Sequence, residues 1–573
     1  MTAPQPRRRR IGVYVCHCGG NISDYVDVGR VVEAVREEDD VVVAREAMFT
    51  CSEATQREIV EDIAAEELDG LVVASCSPKL HQTTFREVAR RGGLNPYLYS
   101  QVNIREQCSW THTDDRAGAT EKAIRLVRAG IAKTRLSAPL EPLNVTTTRR
   151  ALVVGGGVAG MRSAVALADV GIEVVLVERE DHLGGAVAGL GEMFPNQVRG
   201  DELAARLIAE IEQREAITVR TRSVLREKRG TYGNYEVAVE TAGKVSRVAV
   251  GQIIVATGFV SYTPELGEYG YGMPGVVTLE EFDRLLAKSS GPLRAGGREV
   301  SSVAYLYCVG SRNEENPACS RYCCSAAVHA SILAARRQPS LRQFHLHRDL
   351  RTYGRNELAF RESRRLGSLY LRFGDDDAPR ISAEGEQVRV IVRDQLAAGE
   401  ELALSVDLLV LVTGMRPRSN DELVNTLKLP VGRDGFFNEI HPKLRPVETI
   451  VDGVSICGAC QGPKTAAEAV TSGLAAAAHA AAVLKRGVAE LDPEVAIVRA
   501  EACSGCGECV SACPFAAIAL LDGASPRARV DASACKGCGA CVPVCPEDAI
   551  DLQGYRDVQL RAMITAMAGE VAP

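Results

Sequence analysis

The sequence predicts an α/β chain built around a two-dinucleotide-domain core, with a further α/β domain before it and a small α+β domain after it. Three observations carry that prediction. Residues 151–180, ALVVGGGVAGMRSAVALADVGIEVVLVERE, read as strand, glycine turn, helix, strand and acidic terminus in that order. Cysteine occurs 19 times, mostly at metal-ligand spacings rather than scattered as disulfide pairs. The run C-x-x-C-x-x-C-x-x-x-C-P starts at Cys503 and again at Cys535.

At 573 residues the chain is long enough for about three or four domains. Hydrophobic residues make up 46% and charged residues 25%, the balance of an ordinary globular chain. No run of roughly 18 apolar residues occurs, so no membrane-inserted helix is expected. Residues 7–10 are all arginine, but only residues 11–15 separate them from Cys16-His17-Cys18. That is too short for a signal peptide's apolar core, so the run reads as a solvated tail. A net charge of −7 argues against nucleic acid as a partner. Many cysteines without an export signal indicate a reducing cytoplasm and iron–sulfur clusters rather than a disulfide scaffold.

In chain order, residues 11–15 form a strand that runs into Cys16 and Cys18. A strand at 41–44 precedes Cys51, a helix covers 53–67, and a buried strand at 70–74 leads into Ser75-Cys76-Ser77-Pro78. Residues 103–110 carry Cys108, and a long helix follows over 120–134. Strand ends gather at one sheet edge, where ligands bind. Thiols converging there could hold one cluster; the plain alternative is buried cysteine acting as a small hydrophobe. The runs CHCGGNI (16–22), CSEATQ (51–56), ASCSPKLHQTTF (74–85), GLNPYLY (93–99) and NIREQCSWTH (103–112) resemble the N-terminal domain of the heterodisulfide reductase A-subunit (HdrA) family. The resemblance implies an iron–sulfur cluster here, with Cys16, Cys18, Cys51, Cys76 and Cys108 as candidates. Five thiols for four places leave Cys16 and Cys18 as alternatives.

Residues 137–148 are a linker with two prolines, and the next domain begins near Arg149. Gly155, Gly157 and Gly160 stand in G-x-G-x-x-G spacing before a helix over 158–169 that Gly171 ends. The strand 172–177 closes on Glu178. The glycines allow a tight turn, approach of the backbone to a pyrophosphate, and close helix–strand packing; the carboxylate can hold a ribose hydroxyl. A glycine turn without a ligand is the plain alternative, but the whole unit is in order. Gly184-Gly185 soon afterwards suits a long cofactor, FAD rather than NAD. Ala256-Thr257-Gly258 ends a buried strand. This resembles flavoproteins of the thioredoxin reductase type, where such a strand marks the return from the first FAD segment. The candidate FAD wall is Gly155, Gly157, Val158, Ala159, Gly160, Glu178, Arg179, Gly184, Gly185, Ala256, Thr257 and Gly258. An amphipathic helix over 200–215 and alternating strands over 217–250, turning near 230–233, fill the space between.

A strand at 303–307 starts where a nicotinamide-binding subdomain would sit, but Cys308-Val309-Gly310-Ser311-Arg312 lacks the further glycines, which opposes NAD(P)H binding there. Cys319, Cys323 and Cys324 follow. Four thiols between a strand end and a helix start suit a cluster, because a helix N-terminus favours thiolates. A flavin-facing redox pair would need C-x-x-C or a similar spacing instead. The resemblance supports Cys308, Cys319, Cys323 and Cys324 as ligands. In family members associated with electron bifurcation a lysine stands where His329 stands here, so a titratable donor replaces it; a histidine merely packed on its helix is the plain alternative. Residues 408–413 with Gly414-Met415-Arg416-Pro417 are expected to return to the first domain. The strand before Gly458 ends without the aspartate that binds the ribityl chain in the reductases. Ala459 takes its place, so backbone amides of 459–462 or the helix start near Thr465 must substitute. Cys457 and Cys460 read as packing or flavin-adjacent thiols. His329 and Lys464 are the flavin-proximal candidates.

The repeat at 503–545 is the two-cluster ferredoxin pattern, in which the fourth cysteine of each run serves the other cluster. Cys503, Cys506, Cys509 and Cys545 would hold one [4Fe–4S] cluster, and Cys535, Cys538, Cys541 and Cys513 the second. Eight cysteines in this arrangement exclude a zinc reading.

The expected whole is a thioredoxin-reductase-like flavoprotein core with an N-terminal α/β domain and a C-terminal two-cluster ferredoxin domain. Its parts are residues 1–140, an FAD domain of 149–260 and 400–487, a degenerate nucleotide-type domain of 261–399, and 490–573. The resemblance covers 11–556 and looks like a short form of the family. Gly184-Gly185 runs through 186–193 into Phe194-Pro195 without the inserted ferredoxin domain of some members. It implies an electron-transfer component with FAD and [4Fe–4S] clusters, working with B- and C-like heterodisulfide reductase subunits, a hydrogenase- or NAD(P)H-linked donor module and ferredoxin, as a dimer within a larger complex. The alternatives are a stand-alone NAD(P)H-dependent oxidoreductase, the hub of a quinone-, sulfur- or acyl-CoA-linked complex, or a ferredoxin-type scaffold.

Overall fold

The computed structural model describes residues 8–193, 197–288, 291–521, 523 and 526–569. Arg7 of the basic run and Phe194-Pro195 lie outside them. The chain divides into two units, Met1–Val145 with Glu490–Pro573, and Thr146–Ala489.

In the first unit the strands Ile11–Cys16, Val41–Ala47, Gly70–Ser75 and Tyr99–Asn103 form a parallel sheet in the order second, first, third, fourth. Alternate residues feed two cores. Val13, Val15, Val72 and Ala74 meet helices Val28–Arg36 and Arg116–Arg135. Tyr14, Val43, Leu71 and Val73 meet Glu53–Ala65 and Pro78–Arg91. A sheet buried on both faces needs such continuous apolar strands. Two of these helices were not expected, although their start signals are in the sequence. Asp27 accepts the Arg30 amide, and Ser77 caps a helix with Pro78 in its first turn.

The C-terminal part of this unit pairs Ala496–Val498 with Ile550–Leu552 and Ile518–Leu521 with Arg527–Val530, both antiparallel. Cys509 and Cys541 lie in its core with Ile518 and Ile550. Its last helix, Asp557–Ala568, packs on Arg116–Arg135. The Lys133 ammonium sits 3.6 Å above the Tyr555 ring, Arg556 donates to the Leu136 carbonyl at 2.8 Å, and Gln559 donates to Ser137 at 3.2 Å. Arg86 pairs with Asp492 at 2.8 Å and Glu494 at 2.6 Å.

The second unit repeats one plan twice. Strands Ile217–Arg220, Glu173–Val177, Arg150–Val154, Gln252–Val255 and Val454–Ile456 form a parallel sheet. The meander Ser223–Thr231, Asn234–Thr241, Lys244–Val250 covers one face. Helices Val158–Asp169, Gly200–Glu212 and Ala466–Arg486 cover the other. In the second half, Val276–Thr278, Leu408–Thr413, Ser302–Val309, Arg342–His347 and Leu369–Arg372 form the parallel sheet. Its meander is Arg380–Glu384, Gln387–Asp394 and Glu400–Val406.

The expected return to the first domain is corrected by this topology. Residues 400–413 do not rejoin the first sheet. Leu408–Thr413 lies between Val276–Thr278 and Ser302–Val309 and pairs in parallel with both. The chain crosses back only where Met415–Pro417 pairs antiparallel with Phe259–Ser261. Among the described residues one helix, Ala466–Arg486, is long and apolar enough to cross a membrane by length and composition. Its Ala469, Gly473, Ala476 and Ala480 are buried, and it packs against Val158–Asp169. Ser163 donates to the Gly473 carbonyl at 2.9 Å, and a side chain at Gly473 would collide with the Ala159 carbonyl.

Candidate cofactor sites

The three glycines of the turn divide the labour that their spacing predicts. A Cβ on Gly155, whose φ is 112°, would strike the Ala256 carbonyl, and one on Gly160 would strike the Gly155 carbonyl. A Cβ on Gly157 would meet nothing nearer than Gly185 Cα at 4.0 Å. Gly157 is the N-cap of Val158–Asp169, so the helix's free amides open on the same space. That space is a cavity of ≈ 1320 Å³, larger than pockets for drug-sized ligands. Glu178 stands on its wall, and its carboxylate accepts the Gly156 amide at 2.6 Å and the Glu180 amide at 2.9 Å. Gly184 donates to the Gly156 carbonyl at 2.9 Å, which lays the second glycine pair along the first.

The far end of the cavity is built by Ala256–Gly258, Gly458, Ala459 and the start of Ala466–Arg486. Thr257 Oγ1 is buried there without a hydrogen-bond partner, a cost that a ligand's polar group would relieve. Thr465 caps that helix in a reciprocal box with Glu468. Ala466 and Ala467 line the cavity, and their amides have no acceptor one turn back. The residues present therefore fit FAD at both ends, with helix amides where the reductases use an aspartate. His329 and Lys464 both line the cavity. Burial lowers the pKa of each. Glu192, 3.7 Å from His329 Nε2, and Asp283 oppose that shift at the histidine. Sequence reasoning missed this carboxylate pair, because neither residue lies in a glycine motif.

Cys457 and Cys460 point into different cores, one on each face of the flavin-type sheet. Both are buried, and Cys460 donates to the Cys457 carbonyl at 3.0 Å. They pack.

Cys308 is the penultimate residue of Ser302–Val309, whose register shifts between Leu306 and Val309, and its φ is 65°. Cys323 and Cys324 open the helix Cys323–Arg337. A hydrogen bond between them raises the Cys323 pKa and lowers that of Cys324, and the charges of Cys308 and Cys319 also reach Cys323. The four thiols are thus brought together where a phosphate turn would stand in a nucleotide domain. Tyr322 beside them lines the large cavity.

In the first unit the thiols follow the carboxyl ends of the strands, where the strand order reverses. Cys16 Sγ accepts the amides of Cys18 at 3.3 Å and Thr50 at 3.4 Å. Arg105 donates to Cys18 Sγ at 3.2 Å. Burial raises the Cys51 and Cys76 pKa values, Cys76 to about 11, and both feel the charges of Cys16, Cys18 and Arg105. Cys108 is different. Its turn, Arg105–Ser109, points it at the helix behind, where its thiol donates to the Ala119 carbonyl at 3.0 Å within the apolar core. Cys16, Cys18, Cys51 and Cys76 thus lie near one another, and Cys108 points away from them.

In the C-terminal segment Cys503, Cys506, Cys509 and Cys545 line one small cavity. Three of the other set are linked through charge, Cys541 feeling Cys535 and Cys538. The fourth cysteine of each run accepts a matching amide, Ala517 to Cys513 at 3.3 Å and Ala549 to Cys545 at 3.2 Å. Among the described residues no three His, Cys, Asp or Glu converge as around a single metal ion. A cubane gives each thiolate its own iron, so such convergence is not needed.

Residues 502–549 match the 4Fe-4S dicluster domain family, and residues 113–281 match the pyridine nucleotide-disulphide oxidoreductase family. The second A-type iron-sulfur subunit of CoB--CoM heterodisulfide reductase in Methanopyrus kandleri is 36% identical over 603 residues, 90% of this chain and 91% of that protein. The A-type subunit of the H(2):CoB-CoM heterodisulfide,ferredoxin reductase of Methanothermobacter thermautotrophicus is 35% identical over 653 residues, 98% of each. That span exceeds this chain's 573 residues, so the relative carries segments this chain lacks. Among solved structures, T. acidophilum thioredoxin reductase aligns weakly, at TM-score 0.41 and 16% identity over 58% of this chain and 99% of that one. Identity above 30% across nearly the full length, together with a flavin-type and a dicluster family match in this chain, leaves one assignment: the chain is an oxidoreductase that belongs to the heterodisulfide reductase A-subunit (HdrA) family.

Proposed function

We propose that the chain is the electron hub of a heterodisulfide-reductase-like complex. It takes electrons from a hydrogenase- or NAD(P)H-linked donor module and passes them to ferredoxin and to a thiol/disulfide-reducing partner of the B and C type. On this reading FAD occupies the ≈ 1320 Å³ cavity. One cluster sits on Cys16, Cys18, Cys51 and Cys76, one on Cys308, Cys319, Cys323 and Cys324, and two on the C-terminal repeat. Bound flavin exchanges electron pairs for single electrons, and each cluster carries one. The observation that carries the reading is the thiol group at the end of Ser302–Val309. It occupies the place of a nicotinamide phosphate turn, and Cys323 is one residue from Tyr322 on the flavin cavity wall.

The chain's own residues hold and orient. The Gly157 turn and helix amides receive pyrophosphate, and Glu178 receives ribose. His329, whose pKa burial lowers against the opposing charges of Glu192 and Asp283, is placed to exchange a proton with the cavity. Division of the electron pair between ferredoxin and the disulfide partner is the finer form of the proposal, and the histidine in place of a lysine makes it pH-dependent. The relatives' names couple heterodisulfide to ferredoxin in one case and ferredoxin or F(420)H(2) in another, which supports such partners.

The test is anaerobic affinity purification with co-purified proteins identified, followed by NADPH addition to the isolated chain. B- and C-like partners and slow flavin bleaching are expected. Rapid bleaching by NADPH without partners would instead favour a stand-alone oxidoreductase.

A further inference from the structure

We infer that Arg312, Arg348 and Arg351 form a positive cradle that makes a cluster on Cys308, Cys319, Cys323 and Cys324 easier to reduce than its thiolates alone would. The inference rests on the ligand assignment proposed above.

Three guanidinium groups converge on this thiol set. The Ser311 amide donates to the Cys308 carbonyl at 3.2 Å, so the loop that Arg348 grips begins at this thiol, and the charges of Arg348 and Arg312 both reach Cys308. The Arg351 charge is felt at both Cys324 and Cys319. The cradle is held in place from behind. Arg348 donates to the carbonyls of Arg312 at 2.8 Å and Ser311 at 3.2 Å. Asp349 binds both Arg312 and, at 3.3 Å, Arg351. Cys308, Gly310, Arg312 and Arg321 all have left-handed backbone, with φ of 65°, 71°, 56° and 60°. Strain at non-glycine positions persists only where the surroundings over-determine it.

The charges do not balance within the protein. Asp349 is one carboxylate for two arginines, and the acid facing Arg348, Asp375, has a side chain 71% exposed and so screened by water. The side chains of Arg312 and Arg348 are themselves only 18% and 16% exposed. Excess positive charge half-buried beside four thiols is unfavourable unless an anion lies among them. A cubane on four thiolates is such an anion. Adding one electron makes it more negative by one charge, so nearby cations stabilise the reduced form more than the oxidised one. The C-terminal thiols accept backbone amides, Ala528 to Cys503 at 3.5 Å and Ala549 to Cys545 at 3.2 Å, as Cys319 accepts the Arg321 amide at 3.3 Å.

The experiment is a dithionite redox titration of the anaerobic full-length holoprotein, followed by electron paramagnetic resonance. The signal belonging to this cluster is the one lost in Cys324→Ala. In Arg348→Gln and in Arg351→Gln its midpoint moves to lower potential, and the reduced-to-oxidised ratio at the wild-type midpoint falls about fivefold. Arg348→Lys keeps the wild-type midpoint, and the other clusters' midpoints stay put. An unchanged midpoint in both glutamine variants with iron retained overturns the inference. So does iron loss at Arg348→Gln that Arg348→Lys does not restore, since charge would then not be what the site needs. If Cys324→Ala changes neither signals nor iron, the ligand assignment fails instead.

Discussion

Gly157 and Gly160 look alike in the sequence and differ in space. Alanine at 157 has allowed dihedrals, φ −75° and ψ 179°, and room for its methyl, but that methyl enters the cavity. Gly157→Ala is expected to change stability by less than ~0.5 kcal/mol while weakening flavin binding at least about tenfold. Gly160→Ala forces its methyl into the Gly155 carbonyl and is expected to cost ~1–3 kcal/mol as well as the flavin. Thermal unfolding and flavin titration of the two variants separate these outcomes. The thiols give a second residue-scale prediction. Cys76→Ser should remove the iron of one cluster, whereas Cys108→Ser should leave iron unchanged by metal analysis. Spacing tells which cysteines are candidates. It cannot sort Cys108 from the rest, because Arg105–Ser109 turns it toward a helix that begins later in the chain.

Elements with strong local signals are legible: the glycine turn, the helix it starts, and the paired ferredoxin runs. Val28–Arg36 and Pro78–Arg91 are signalled only by Asp27 and by Ser77-Pro78, short cues that are easily passed over beside a cysteine motif. The strand Leu408–Thr413 is legible as a strand but not in its sheet. All six residues are buried, and a continuous apolar run says that a parallel strand is central without saying in which sheet. The helix Ala466–Arg486 joins stability to the site, because its capped end forms part of the cavity wall. Thr465→Ala removes one half of the capping box and is expected to cost about 1 kcal/mol in denaturant unfolding. Flavin affinity should fall with it, since the Ala466 and Ala467 amides lose their fixed direction.

At the scale of the whole molecule, the two ends of the sequence fold into one unit with the flavin-type unit between them in the chain. Nothing local announces this; it rests on long-range pairs such as Arg86 with Glu494 and Lys133 with Tyr555. Burial lowers the Lys133 pKa from 10.5 to about 8, despite the Glu494 charge that raises it. Between those values the unfolded chain binds the proton that the folded chain has released, so stability rises with pH across that window. The penalty is fully present below pH ~8 and fades toward ~10. Denaturant unfolding of wild type and Lys133→Met should therefore show the wild type gaining on the variant from about pH 8 to 10, in the order of 1–3 kcal/mol. A constant difference would mean that Lys133 is not desolvated in solution.

The central claim is that the cysteines of this chain ligate inorganic clusters around a single flavin. The most direct measurement is the iron, acid-labile sulfide and FAD content of anaerobically purified protein. The expected content is one FAD with about 16 iron and about 16 sulfide per chain. One FAD with no iron, and the same cysteines titrating as free thiols, would contradict it.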